Sequence, residues 1–594
     1  MKAVVDILEE RISAAMEQTT GQKSCAAIVR PSTDPKFGDY QANGVMALAK
    51  KVKLDPVATA HDVVKNLDVS DVCESPAVAG PGFINLRLKS DFIGDRLLQI
   101  NADSAGQLGI GKTGEPKTVV VDFSCPNIAK QMHVGHLRST IIGDCICRTL
   151  EFLGHKVIRQ NHIGDWGTHL GMLIALLDKI SAPLMGDETS DRIKSQIYED
   201  LYKDAKRRYD EDPKFARKSR DWVVKLQNYN SDALSFWKVI VNASLADCQQ
   251  LYGRLGTTLI PEDARGESAY NDSLSTVVGD LQAKGLATES DGAMCVFPEG
   301  FKTKEGESLP FIIQKSDGAY LYATTDLAAL RYRVNELKAN RIIYVTDARQ
   351  SLHFQMLFKV ADMAGWDKRN GNKIELVHVT FGSVMGENGK PLKTREGVNV
   401  KLRDLLDEAT ERAKAIVEEK NPELPAEKKK QIAKAVGIGA VKYADFSNNR
   451  TSDYVFSFGK MLAMDGNTAP YMQYAYARIK SIERKAKTKG VDIEAELHDV
   501  KKLSLTEPAE LDLAKYLIRY GEAIEAAIAD YRPNYLTSYL YELAQKFSGF
   551  YTKCPVLDAQ PDRRPTRLLL CDLTAKTIGH GLSELLGIEV VEQM

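Results

Sequence analysis

One stretch limits what this chain can fold into more than any other: Val119 to Thr140, reading VVVDFSCPNIAKQMHVGHLRST. Val119, Val120, Val121 and Phe123 have strand propensity and lead into a Ser-Cys-Pro-Asn turn, after which an apolar-periodic segment from Leu137 to Phe152 reads as a helix. That order puts His133, Gly135 and His136 at a helix start, where unpaired backbone N–H groups and the positive dipole end favour an anion. Gly135 has no Cβ, so a bulky ligand can approach the backbone, and both imidazoles can donate to phosphate oxygens. The stretch therefore points to a phosphate-bearing ligand. Taken alone, an HxGH also fits two loop histidines bonded to nearby carbonyls.

Here the motif is longer. From Pro126 to Thr140, PNIAKQMHVGHLRST resembles the HIGH signature of class I aminoacyl-tRNA synthetases, in the form carried by arginyl-tRNA synthetases of the bacterial type. The resemblance runs through essentially all 594 residues in that family's motif order. It implies an α/β fold: a class I Rossmann-like catalytic domain, an N-terminal α+β domain and a C-terminal all-helical anticodon-binding domain. On this chain the expected division is an N-terminal tRNA-contacting domain at 1–112 and a catalytic domain at 116–400 with a helical insertion at about 187–256. A connecting helical region at 401–460 and the helical anticodon-binding domain at 461–594 follow.

The totals agree with this without demanding it. At one domain per ~150 residues, the length predicts three or four domains. A net charge of −1 neither announces nor forbids nucleic acid, because binding needs a local basic stripe. Nine cysteines, an odd number with no CxxC pair, fit a reducing compartment and no structural metal. The opening MKAVVDILEERISAAMEQ carries acids among its apolar positions and is not read as a signal peptide, and no run approaches the ~20 apolar residues that span a bilayer. A cytoplasmic protein is expected.

Along the chain, an opening amphipathic helix, the segment Phe37 to Val52 and a strand from Pro81 to Leu88 suggest a small α+β unit. Its FGDYQANG turn reads on composition as a packed turn; it also resembles the N-terminal domain of the arginyl family, which implies tRNA contact by Tyr40, Gln41 and Asn43. GQLGIGKT, Gly106 to Thr113, matches Walker A spacing, but a helical pattern precedes it and a strand follows, the reverse of a working P-loop, so it reads as a linker. Beyond the HVGH helix, a strand at Lys156 to Arg159 and a second helix complete a βαβ unit. Ligands of such sheets sit at the carboxyl ends of the strands, where His162, Gly164 and Asp165 join His133 and His136. Further strands of the sheet are expected near Ala293 to Phe297, Phe311 to Gln314, Ile342 to Thr346 and Leu376 to Phe381.

Two later stretches bear on the substrate. Glu267 lies in DARGESAY; Tyr322 and Asp326 lie in SDGAYLYATTDLAALRYR. Arginine's guanidinium has five fixed donors and stays charged, so two carboxylates and a phenol oxygen can recognise it, whereas lysine is a point charge. Spacing alone does not bring Glu267 near Asp326. The resemblance does: GES, YxTTD and DARQSLHFQ match arginyl-family motifs, implying guanidinium contacts from Asp326, Tyr322 and Glu267. It further implies that Asn127 and Gln350 hold the α-amino and carboxylate groups, with His353 as a wall residue.

The family's KMSKS loop is degenerate here. In GENGKPLKTREGVNVKL, Gly386 to Leu402, the basic residues are Lys390, Lys393 and Arg395, and the resemblance supplies a lysine just before the HIGH motif, Lys130. Adenylate formation builds charge on phosphoryl oxygens and needs a cation in place, whatever its origin in the chain. The ATP site is thus expected from Gly135, His133, His136, Lys130, Lys390 and Lys393, with His133, His136, Lys130 and Lys393 acting in catalysis. The helical segment Gly466 to Lys487 interleaves tyrosines and cations; a tyrosine stripe is ordinarily core, but the resemblance to the anticodon-binding domain points to tRNA contact by Tyr471, Tyr474 and Arg478. The resemblance as a whole implies an arginine–tRNA ligase using ATP with Mg2+, L-arginine and tRNA(Arg), acting as a monomer away from membranes. The rivals are a small HxGH nucleotidyltransferase, which needs no long helical C-terminal half, and a non-catalytic RNA-binding descendant.

Overall fold

The fold is that of a computed structural model describing residues 1–180, 191–393 and 400–594, with side chains at 180 and 191–195 left aside. Arg395 and residues 181–190, which include the expected start of the insertion, lie outside the described residues. The apolar run forms β1 (Thr118–Asp122), followed by α1 (Val134–Phe152) and β2 (Lys156–Gln160). Much later come α2 (Tyr322–Asn335), β3 (Arg341–Asp347), α3 (Ser351–Ala364) and β4 (Glu375–Phe381). The four strands pair in the order β4-β3-β1-β2, and every pair is parallel. Val119, Val120 and Val121 are fully buried, which is why β1 reads as an unbroken apolar run and not as an alternation. Each contributes about 1.5–3 kcal/mol over an exposed position. The sense in which successive strands are added to the sheet reverses between β1 and β3, so the crevice outside their carboxyl ends is where a ligand belongs.

Two expected strands do not join this sheet. Ala293–Val296 and Phe311–Gln314 form a separate three-stranded antiparallel sheet with Ala287–Ser290, a strand the sequence reading did not include. The reason is the turn between Ala287–Ser290 and Ala293–Val296: Asp291 and Gly292 both take positive φ, 51° and 75°, the two-residue turn that closes a hairpin. A hairpin makes antiparallel neighbours, whereas a parallel strand needs a long crossover.

At the N-terminus, Val4–Thr20 packs against an antiparallel four-stranded sheet built from Val29–Pro31, Tyr40–Ala42, Phe83–Leu86 and Ala77–Ala79. Tyr40 is fully buried here, and its hydroxyl donates to Glu522 Oε1 at 2.7 Å. It fastens the N-terminal sheet to a C-terminal helix and offers no face to a base, which corrects its assignment as a tRNA contact. Gln41 donates across the sheet to Asn85 Oδ1 at 2.8 Å, and Asn43 precedes the helix Gly44–Val52. The Walker-like stretch is a linker: Gly106, Leu108 and Gly109 have positive φ, the chain's amino terminus donates to the Gly109 carbonyl at 2.7 Å, and β1 follows.

Beyond the sheets the chain is helical. Leu402–Lys420 and Ala426–Phe446 form an antiparallel pair, and the second of these reaches α1 through Asp445, which lies 2.9 Å from Arg138 Nε with both side chains buried. One turn earlier, buried Lys442 donates to the carbonyls of Leu255 and Gly587, joining the end of the insertion to the C-terminal helices. Breaking either contact would leave a buried charge unpaired, at a cost of about 3–5 kcal/mol.

Candidate active site

The turn between β1 and α1 is held in a conformation that its residue types do not favour. Ser124, Cys125 and Ala129, none of them glycine, have φ of 73°, 51° and 65°. Such residues cost about 1–3 kcal/mol each and persist only where neighbours over-determine them. Those neighbours are visible: Ser124 N donates to Ser139 Oγ at 2.9 Å, Ser124 Oγ lies 2.8 Å from Tyr252 Oη, and Cys125 N donates to Asn161 Oδ1 at 3.0 Å. Beneath the turn, Asp122 pairs with Arg333 at 2.7 Å, both side chains buried.

His133 and His136 then cap α1 reciprocally. His133 Nδ1 accepts from Gly135 N at 3.0 Å, and His136 Nδ1 accepts from His133 N at 3.1 Å. Because each Nδ1 is an acceptor, each neutral ring carries its proton on Nε2, so the pair presents N–H donors. Both are held neutral: burial pushes His136 down to about 3 with His133 adding to it, and burial, Lys130 and Arg349 lower His133. Gly135 is required by the rings themselves, since a Cβ there would stand 2.8 Å from His133 Cε1.

The loop's far end returns to this turn. Val134 N donates to the Val400 carbonyl and Leu402 N to that of Met132, each at 2.9 Å, so Lys401 pairs with His133. Lys130 lies over the Tyr202 ring at 4.8 Å, and Lys401 Nζ donates to Gln196 Oε1 at 2.7 Å, both partners standing on the insertion helix Asp191–Glu211. Lys130 is thus brought to the histidines. Lys390 and Lys393 are exposed around a hairpin closed by Gly386 N and Lys390 O, and among the described residues neither touches His133 or His136.

On the other side of the crevice the acids converge. Burial, then the Asp165 and Asp326 carboxylates, push Glu267 up to about 8. Desolvation, Glu267 and Asp326 raise the Tyr322 phenol, whose residue is 66% exposed at the start of α2. The structure therefore brings Glu267, Tyr322 and Asp326 within electrostatic reach, which spacing alone could not do. Asp165 is buried and accepts from Ser268 N and Oγ at 2.9 and 2.7 Å; a Cβ on Gly266 would collide with its carboxylate at 2.2 Å. Asn127 and Gln350 stand exposed beyond the ends of β1 and β3, and Asn127 bridges to Gly164.

Residues 100–458 match the family described as tRNA synthetases class I (R), catalytic domain. The chain belongs to the arginyl-tRNA synthetases. Consistent with this membership, residues 6–88 match the arginyl tRNA synthetase N terminal domain, and residues 472–594 match the DALR anticodon binding domain. Relatives named Arginine–tRNA ligase include one from Hahella chejuensis, 49% identical over 590 residues and 99% of each chain, and one from a Synechococcus species, 50% identical over 601 residues and all of both chains. Among solved structures, the arginyl-tRNA synthetase of Plasmodium falciparum superposes with a TM-score of 0.81 at 30% identity, covering all of both chains.

In this synthetase the tyrosine-bearing helix is Ala469–Thr488. Its buried face is Met472, Gln473, Ile479 and Ile482, while Tyr474 is 38% exposed and accepts from Arg478 at 3.2 Å. Arg478 also lies over the Tyr551 ring at 5.7 Å, and Tyr471 meets Tyr541 at 5.5 Å, with Tyr471, Tyr541 and Tyr551 partly buried against the core. The sequence reading missed Asp122, Arg333, Tyr202 and Lys401. Only Asp122 left a trace, as an acid ending an otherwise apolar strand. Among the described residues no helix is long and apolar enough to cross a membrane, and no group of three or more His, Cys, Asp or Glu is arranged to hold a metal ion.

Proposed function

We propose that the chain is an arginine–tRNA ligase of the bacterial type. It joins L-arginine to ATP, forming arginyl-adenylate and pyrophosphate, and passes the arginyl group to the 3′-terminal adenosine of tRNA(Arg), releasing AMP. The observation that carries this reading is a pair of neutral imidazole N–H donors at the turn after β1 together with an acid cluster whose Asp326 lies 3.8 Å from His162, just past β2. In the first step an arginine carboxylate oxygen bonds to the α-phosphorus while the bond from that phosphorus to the bridging oxygen breaks. No side chain must become a nucleophile, so the work is positioning and electrostatic stabilisation.

His133 and His136 donate to the phosphates through Nε2 beside Gly135, and Lys130 supplies the cation that the degenerate loop lacks, with Lys390 and Lys393 closing from the loop. Magnesium arrives as part of the MgATP substrate. Asp326, Glu267 and Tyr322 take the guanidinium, and Asn127 and Gln350 take the α-amino and carboxylate groups. Their exposure beyond β1 and β3 supports that role. The division into 1–112, 116–400, 401–460 and 461–594 gives each tRNA region its own unit, with Tyr471, Tyr474 and Arg478 at the anticodon and Gln41 and Asn43 at the outer corner. A cytoplasmic monomer completes the reading. ATP–pyrophosphate exchange with each amino acid in turn, with and without tRNA, tests it. Arginine alone should support exchange, and it should do so with tRNA bound; exchange with lysine equal to that with arginine would overturn it. Lys130→Ala should lose most of the rate, and near wild-type exchange would remove Lys130 from the mechanism.

A further inference from the structure

Asp326 does not wait in the pocket unattended. Its Oδ2 lies 2.6 Å from His353 Nε2, and its Oδ1 lies 3.8 Å from His162 Nε2. An ionised carboxylate only accepts, so His353 Nε2 is the donor. The donor ring is itself fixed: its centroid is 5.7 Å from Phe311, on the small antiparallel sheet, and 5.4 Å from Phe354, its neighbour on α3. His162 rests on Tyr270 at 5.7 Å. Asp326 on α2 is therefore held by a ring anchored to two other elements.

We propose that His353 is a positioning residue that aims the Asp326 carboxylate, so that its remaining lone pairs meet the planar fork of a guanidinium. The inference deepens the proposed function, since it rests on Asp326 being the guanidinium's ligand. A carboxylate offers about four lone-pair sites; His353 occupies one, and the others stay available in a fixed plane. Arginine's donors lie in one plane and need that plane matched, whereas an ammonium rotates to suit any orientation. A carboxylate left free to turn keeps its charge and loses the fork. The loss falls on arginine binding and on the preference for arginine over lysine, and spares the chemistry at phosphorus, which other residues perform.

Three variants of the full chain separate aiming from packing, assayed by pyrophosphate exchange with tRNA present. His353→Leu fills the space without a donor, His353→Asn carries its amide nitrogen where Nδ1 stood, and His353→Gln carries it where Nε2 stood. Leu and Asn should raise the KM for arginine about 10-fold or more while kcat and the KM for ATP stay within about threefold, and Gln should return the arginine KM to within about threefold of wild type. In an Asp326→Asn background, His353→Leu should add less than about twofold. Equal impairment by Leu and Gln would overturn the inference, as would an unchanged arginine KM in His353→Leu when Asp326→Asn raises it. An arginine KM unmoved by Asp326→Asn would overturn the guanidinium reading itself, and the inference with it. Should His353→Leu fail to fold by thermal melting, the contrast between Gln and Asn decides the matter alone.

Discussion

The two halves of the crevice are prepared in opposite ways. On the HVGH side the scaffold is finished before a ligand arrives: the turn is strained but bonded, and the histidines cap one another through Nδ1 and stay neutral. On the acid side the carboxylates crowd one another, although Asp165 accepts from Ser268 and Asp326 from His353. Glu267 is forced towards its protonated form by burial and by two other carboxylates, and Tyr322 stands exposed beside it. A ligand read by dipoles can be met by a finished surface, because backbone N–H groups and neutral imidazoles cost little to hold ready. A permanently cationic side chain is read by a carboxylate cluster whose crowding keeps a proton on Glu267 until it comes; that favours a cation, and the planar match at Asp326 sets arginine apart from lysine.

The contrast makes claims that mutation can break. Asp326→Asn should lower kcat/KM for arginine by about 1,000-fold with the KM for ATP little changed, since it strips one charge from a half-buried recognition site. His133→Asn keeps a side-chain acceptor at the helix cap but removes the ring's Nε2–H. It should therefore hold the melting temperature while costing about 100-fold in kcat. If stability falls as far as activity, the histidines are chiefly caps.

The smallest effect concerns stability and has a definite sign. Glu267 has its folded pKa raised from 4.5 to about 8, so the native state holds a proton that the unfolded state has lost, and stability falls as pH rises through that window. Glu267→Gln removes this penalty, and its melting temperature should exceed that of the parent by a few degrees at pH 8, with the gap closing towards pH 5. A gap that is constant with pH would mean the carboxyl is ordinary.

How much of this was legible in the residues follows the same division. The strand, turn and helix around HVGH are local, and VVVD followed by a helical period announced them. The mutual capping of the histidines was not legible, because it depends on ring orientations that no spacing encodes. Ala293 to Phe297 looked like a return to the main sheet because a short apolar run does not say which sheet it joins; only the Asp291–Gly292 turn does. Tyr40 was misread for a related reason. Its burial is imposed by Glu522, 482 residues later, and composition near a turn carries no sign of so distant a partner. The acid cluster could be named from the arginyl-family resemblance, whereas the His353 contact with Asp326 emerges only from the packing of three elements.

The most direct test of the account is the proton balance of arginine binding. Isothermal titration of the full chain with arginine, at pH 7 in buffers of differing ionisation enthalpy and with tRNA present, reports protons exchanged per site. A guanidinium seated against Glu267 must expel the proton held there, so about one proton should be released by the parent chain and close to none by Glu267→Gln. Arginine binding with no proton released by the parent chain, or with equal release by both, would contradict the claim that burial among these carboxylates keeps a proton on Glu267 until a cation displaces it.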